Sequence, residues 1–362
     1  MSAASLDATD LFDLTAALVD VPSESFAEGV LVEQLEAELR ALPHLDVTRV
    51  GDNLVARTTL GRPSRLVLAG HTDTVPANGN GSARVEGDVL WGLGAADMKG
   101  GLAVMLGSAR QHTSPALDLT YVFYAREEVA SEHSGLQELF VARPDLLVGD
   151  LALLGEPTDG AIEAGCQGSV RARVTLGGAR AHTARAWMGR NAIHRLGSLL
   201  EALSAYEPRR PVIQGCQFHE ALQAVAVAGG MSGNVVPDRA EVTIAHRFAP
   251  DRSSSEAEAH LRSVIESFLE NGLDSIEIVD VAPAAHPSLD QPLLAGLIAE
   301  HGLEVRSKLG WTDVARFASA GVPAANFGPG DPTLAHTAEE RVTRDSIDRV
   351  WRVVDAIVSR GL

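Results

Sequence analysis

Two adjacent glutamates, Glu127 and Glu128, end the apolar run Leu119-Thr-Tyr-Val-Phe-Tyr-Ala125, so a buried strand would deliver two carboxylates to one point. Carboxylates at the mouth of a core strand need a cation or a proton to offset their desolvation, and neighbours on an extended chain point to opposite faces. One of the pair can bind metal while the other handles protons. An isolated Glu-Glu pair would be an ordinary solvated strand end. Here, however, other apolar runs end alike. Arg65–Ala69 leads into Gly70-His71-Thr72-Asp73, and Leu151–Leu154 leads into Gly155-Glu156-Pro157. Pro323–Phe327 leads through a Gly/Pro loop to His336, and Asp97 sits in a small-residue turn, Gly94-Ala-Ala-Asp-Met-Lys-Gly-Gly101. From His71 to Asp97, Glu128 and Glu156 the steps are roughly 30 residues, one strand-plus-crossover unit each. Groups just past the carboxyl ends of parallel strands line one crevice.

Two histidines and three carboxylates without a cysteine suit zinc, with cobalt as a substitute, better than copper or an iron–sulfur cluster. Five ligands exceed what one zinc takes. Two ions ~3.5–4 Å apart, bridged by one carboxylate and one water, would use all of His71, Asp97, Glu128, Glu156 and His336. Asp97, from the middle of the set, is the candidate bridge. Asp73, two residues after His71, is placed to accept the other ring N–H and fix the tautomer. Glu127, not needed for coordination, becomes the general base that deprotonates the bridging water.

These residues need elements that hold them. At 362 residues the chain exceeds a usual single core, and 45% hydrophobic content can fill two. Up to about Ala164, helical stretches (26–42, 98–111 and 134–142) alternate with apolar strands, as a layered α/β sheet requires. The texture then changes to a strand at 169–176, a helix near 191–206, strands near 221–228 and 240–248, a helix near 255–271 and a strand at 275–281. That order, βαββαβ, is a split ferredoxin-like unit. From Pro283 the α/β pattern resumes with helices at 291–301, 312–320 and 344–360, so the expected domains are 1–165 with 283–362, and an insertion at 166–282.

Composition narrows the class. Thirty basic against 48 acidic residues give a net charge of −18, a surface that repels nucleic acid and anionic membrane. No apolar run approaches a membrane span, and residues 1–25 lack a basic region ahead of an apolar core, so a cytoplasmic protein is expected. Cys166 and Cys216, far apart and outside any CxxC pattern, indicate reduced thiols.

The segments Gly70-His-Thr-Asp-Thr-Val-Pro76, Gly94–Gly101, Glu127-Glu128, Gly155-Glu-Pro-Thr158 and Ala335-His-Thr337 resemble the ordered motifs of the dinuclear-zinc aminoacylase and desuccinylase superfamily, over nearly the whole chain. The resemblance implies a zinc-peptidase-like α/β catalytic domain carrying an inserted α+β dimerisation domain. It also implies His71 and Glu156 on one ion, Glu128 and His336 on the other, Asp97 bridging, Glu127 as base and a cis peptide after Asp97. The stretch Gly178–Asn191 is similar to the family's loop whose histidine, here His182, crosses into the partner's site in a homodimer and stabilises the oxyanion. Asn234, Arg247, Thr312 and Arg316 resemble substrate-anchoring positions, although Thr312 also suits a helix cap. Where relatives carry an arginine at the entry to the insertion, Gln167 stands here, which weakens a charge clamp. The implied reaction is hydrolysis of an N-acyl diamino acid without a covalent intermediate. A deacetylase, an acylase or a dipeptidase would share the same centre, and a non-catalytic metal-binding homologue would keep the ligands without turnover.

Overall fold

The computed structural model describes residues 6–361. They form two compact units. The first runs up to Ala164 and adds Ser288–Arg306 and the chain from Arg316 onward; the second is Gly165–Pro287 with Ser307–Ala315.

The first unit is built on an eight-stranded sheet in the order Asp46–Val50, Asn53–Arg57, Asp118–Tyr124, Arg65–His71, Leu151–Leu154, Ala324–Asn326, Ile162–Ala164 and Val305–Ser307. Its centre, from Asp118–Tyr124 to Ala324–Asn326, is parallel. Both faces of a parallel centre must be covered, so these strands are continuously apolar rather than alternating, and every residue of Asp118–Tyr124 and Leu151–Leu154 is buried. Helices supply the cover. Leu11–Val19 starts where the Asp10 carboxylate accepts from Phe12 N at 3.0 Å and Asp13 N at 3.1 Å. Arg344–Arg360 starts at Thr343, which accepts from Ser346 N, and buries Ile347, Val350, Val353, Val354 and Ile357 along one stripe. A helix expected over 98–111 begins at Gly100, because Ala95–Lys99 forms a wider turn in which Asp97 and Met98 are non-helical and their peptide bond is cis.

In the second unit the strands Ala221–Gly229, Arg239–Phe248, Gly168–Gly177 and Ser275–Ala282 lie in that order, all antiparallel. With the helices Ala192–Ser204 and Ser254–Ile265 the chain order is the βαββαβ read in the sequence. Ala240, Val242, Ile244, His246 and Phe248 alternate inward at 0% exposure and pack with Leu196, Leu199 and Leu261 from the helices. Truncating Leu199 to alanine would cost about 2–5 kcal/mol. Among the described residues the outer strand Ala221–Gly229 has no neighbour on one side, and Gln223–Met231 are all exposed, with Val225 at 57% and Val227 at 54%.

Residues 307–315, expected with the outer halves of the chain, pack with the second unit instead. Ser307 Oγ donates to Gln217 O at 2.6 Å, Gln167 N to Lys308 O at 3.3 Å, and the Cys166 thiol to Thr312 O at 3.8 Å. Segment membership here follows these partners, not the periodicity.

Candidate metal centre

His71 is the last residue of its strand and sits in register with Tyr124, so the neighbouring strand carries Glu127 and Glu128 past the same sheet edge. Glu156 follows by two residues the strand that pairs Leu154 with Ala69, and Asn326 pairs with Leu154 on the other side before the loop to His336. The segments meet closely because they lack side chains at the contact. A Cβ on Gly101 would lie 2.3 Å from Gly155 O, and one on Gly328 would lie 2.2 Å from the same oxygen.

Ligand atoms of His71, Asp97 and Glu156 lie within 4.8 Å of one another, as do those of Asp97, Glu128 and His336, and those of His71, Glu127 and Glu128. Asp97 is shared by two groups. Its Oδ1 lies 3.1 Å from His71 Nε2 and its Oδ2 3.5 Å from His336 Nε2, so each carboxylate oxygen faces a different imidazole. His336 Nε2 also lies 2.7 Å from Glu128 Oε1. Four carboxylates against two imidazoles leave a deep excess of negative charge, and the titrations respond to it. His71 resists protonation by burial, yet hydrogen bonds to Asp73 and Asp97 push its pKa well above the usual value. The hydrogen bond to Asp97 chiefly lifts His336, to about 9. Burial lifts Glu128; burial also opposes ionisation of Asp97, but His336 and His71 outweigh it and hold that carboxyl well below its usual range. Two divalent cations would neutralise four carboxylates with both imidazoles neutral, so the donor set fits a two-metal centre.

Backbone placement of the Glu-Glu pair is heavily specified. Ala125 N donates to Asn53 Oδ1 at 3.0 Å, Arg126 N to Glu28 Oε1 at 3.2 Å, Glu127 N to Asp73 Oδ1 at 3.0 Å and Glu128 N to Asp73 Oδ2 at 3.1 Å. Four successive amides are thus held by three remote side chains. Arg126, at φ 61, is fixed further by donating to His133 O, Asp52 and Glu138. This revises the role expected of Asp73. His71 Nδ1 donates to the backbone carbonyl of Asp73 at 3.0 Å, whereas the carboxylate is 3.6 Å from that nitrogen and serves the two glutamate amides and Ser25 Oγ. Burial opposes its ionisation, but the neighbouring His71 imidazole first, then the Glu127 amide and Ser25, hold its pKa at about 2.

Arg316 belongs to the first unit and donates to Gln137 Oε1 at 2.6 Å and Ser131 Oγ at 2.8 Å, fastening the loop that follows Glu128. The remaining expected residues lie in the second unit. His182 and Asn234 come together there: Thr183 N donates to Asn234 O at 3.0 Å, and both residues are exposed. His182 Nδ1 accepts from Ala184 N at 3.0 Å, which leaves Nε2 carrying the proton when the ring is neutral. Arg247 is at the other end of the same sheet, paired with Ser169, roughly 26 Å along the strand from Arg239. Thr312 is buried, and its carbonyl accepts from Ala315 N. Gln167 is buried and donates to His219 O, a structural use of the position.

Glu28 and Glu340, each 1% exposed, were missed in the sequence. Glu28 was hidden inside a helical pattern that begins only at Gly29. Glu340 sits in a polar Glu-Glu pair, but its period-two relation to buried Val342 marks an inward position.

Residues 67–360 match the peptidase family M20/M25/M40. A Mycobacterium tuberculosis protein provisionally named succinyl-diaminopimelate desuccinylase is 51% identical over 335 residues, 92% of this chain and 93% of its own. The succinyl-diaminopimelate desuccinylase of Corynebacterium glutamicum is 44% identical over 354 residues, 96% of this chain and 95% of its own. Among solved structures, a Staphylococcus aureus tripeptidase superposes with a TM-score of 0.78 at 21% identity, covering 96% of this chain and 97% of its own. A Bacillus subtilis protein described as a dinuclear metal binding peptidase superposes with a TM-score of 0.70 at 16% identity, covering 96% of each chain. At such identities the structural likeness speaks for the fold. With a family match over most of its length and relatives near half identical, the chain belongs to the M20/M25/M40 peptidase family.

Proposed function

We propose that this protein is a metal-dependent amide hydrolase that converts N-succinyl-LL-2,6-diaminopimelate and water to succinate and LL-2,6-diaminopimelate, in the biosynthesis of diaminopimelate and lysine. The observation that carries the chemistry is Asp97, whose two carboxylate oxygens face different imidazoles, as a bridge between two ions requires. The substrate follows from the two relatives at 51% and 44% identity, both named for that desuccinylation.

His71 and Glu156 would hold one ion, Glu128 and His336 the other, with Asp97 between them. Zinc suits this set, with cobalt as a substitute. Bound, the ions would polarise the amide carbonyl and acidify a water. Glu127 takes a proton from the attacking water as the C–O bond forms, then returns it to the nitrogen as the C–N bond breaks, leaving a carboxylate and an amine. His182, with Nδ1 already accepting from Ala184 N, offers its Nε2 proton to the oxyanion.

A homodimer is part of this proposal. The exposed strand Ala221–Gly229 supports it: an uncharged edge bearing Val225 and Val227 is a template for pairing with a second copy. In such a dimer the His182 loop, with Asn234 beside it, would serve the partner's metal centre, while Arg247 and Thr312 would contact substrate from a separate region of the second unit. The two units would then be a catalytic domain and a ferredoxin-like dimerisation domain of a cytoplasmic enzyme. Among the described residues no helix is long and apolar enough to cross a membrane.

Steady-state hydrolysis of N-succinyl-LL-diaminopimelate beside N-acetyl-L-ornithine, with zinc-loaded and chelated protein, tests the assignment. The succinyl compound should be turned over with far the higher kcat/KM, and only with metal. Preference for the acetyl compound would refute the substrate and keep the metal chemistry.

A further inference from the structure

Glu340 is a buried carboxylate outside the ligand set, four residues after His336. Its Oε1 accepts from Ala96 N at 3.1 Å and Asp97 N at 3.0 Å, and its backbone carbonyl accepts from Gly92 N at 3.1 Å. Directly after it, Arg341–Thr343 pairs in register with Val89–Trp91, so Glu340 immediately precedes a braced strand. Two consecutive amides converge on one carboxylate oxygen, an anion-binding concavity made from main chain. The amides belong to the turn Ala95–Lys99, in which Asp97 sits at φ −117 and ψ 92, outside the helical region. Regular helical geometry does not set the orientation of a residue so placed. A captured amide fixes where its Cα–Cβ bond points.

We propose that Glu340 is a positioning residue of the metal centre: it ties the turn that carries Asp97 to the segment that carries His336 and so sets the geometry of the Asp97 carboxylate that faces both His71 and His336. This inference rests on the metal-centre reading above. Glu340 touches neither substrate nor metal in this role; it acts through two amides. Groups that orient ligands in this way typically change metal affinity by about 10–100-fold when removed.

The test is a zinc-binding isotherm on the full-length protein, by competition with a chromophoric chelator, for wild type, Glu340→Gln, Glu340→Asp and Glu340→Ala. Near-UV circular dichroism checks that each variant is folded. Glutamine keeps an acceptor oxygen at the same reach, so Glu340→Gln should bind two ions within about threefold of wild type. Aspartate draws the acceptor back by one methylene and alanine removes it, so both should lose about tenfold or more for at least one ion. Should Glu340→Ala not fold, Glu340→Asp decides. A folded Glu340→Asp or Glu340→Ala with the wild-type isotherm would overturn the proposal. So would Glu340→Gln weakened as much as Glu340→Asp, which would assign the effect to charge alone, or failure of both shortened variants to fold while Glu340→Gln folds, which would assign a role in folding alone. A wild-type chain that takes up no pair of ions would remove the metal-centre reading, and this inference with it, so the two failures are distinguishable.

Discussion

The Glu127-Glu128 segment and the His182 loop both follow a strand and precede a helix, yet they are built by opposite means. Around the glutamates, four successive amides are bound by Asn53, Glu28 and Asp73, and the last two of these side chains are 1% exposed. Around His182, short backbone bridges to Val235 and from Ala179 to Arg190 hold the loop, while Trp187 and Met188 stand 80% and 69% exposed. In the first region the surrounding structure fixes the acids before any ligand arrives. In the second, the backbone is shaped but the side chains face outward, as expected of groups whose partner lies on another molecule. Preorganisation is therefore concentrated where charge must be held, and exposure where a second copy would dock.

The largest effect that would sharpen this contrast is at the base. Glu127→Gln should lower kcat about 10²–10⁴-fold with two metal ions still bound, measured as turnover beside metal content. Retained turnover would remove Glu127 from the proton transfer. Next, Val227→Lys would set like charges near each other across the proposed edge pairing, which costs several kcal/mol, so self-association should weaken on the order of a hundredfold. Sedimentation velocity reads this directly, and an unchanged profile would mean that the edge is not the interface. Asp73→Ala should lower metal affinity about 10–100-fold, because the Glu127 and Glu128 amides lose their acceptors. An unaltered isotherm would make that capture incidental.

The smallest effect at neutral pH concerns the core of the second unit. Burial, with His260 adding to it, pushes His246 down to about 4, while Glu220 opposes the shift. The unfolded chain therefore binds a proton between about pH 6.5 and 4 that the folded chain does not, so this contribution to stability is complete above about pH 6.5 and is lost as the pH falls towards 4. It amounts to on the order of 3 kcal/mol. Urea unfolding of His246→Leu should have a flatter pH slope across that interval than wild type.

How much of this was legible in the sequence follows from where each signal resides. His71, Asp97, Glu128, Glu156 and His336 were readable together because each follows an apolar run or small-residue turn, and the parallel register then gathers their ligand atoms. The amide acceptors were not readable. That Asp73 faces Glu127 and Glu128 depends on strand register, and that Glu28 faces Arg126 depends on a helix beginning later than its apolar pattern suggests. Arg316 has the composition of a substrate anchor, but its observed partners, Ser131 and Gln137, lie far away in the chain. The order βαββαβ was visible because Gly168–Gly177 and Arg239–Phe248 bury alternate residues and Ser275–Ala282 half-buries them, although the outer strand Ala221–Gly229 has no such face. The membership of 307–315 was not, because it rests on a few hydrogen bonds.

The central claim is that one hydrolytic site is divided between two copies of the chain, with acids and metal ligands from one and His182 from the other. It is tested most directly by mixing two inactive proteins, His182→Ala and Glu127→Gln, and following turnover of N-succinyl-LL-diaminopimelate as subunits exchange. A divided site predicts recovery of activity, because one of the two sites in each hybrid then holds an intact Glu127 and an intact His182. No recovery, with subunit exchange proven by tagged chains, would contradict it.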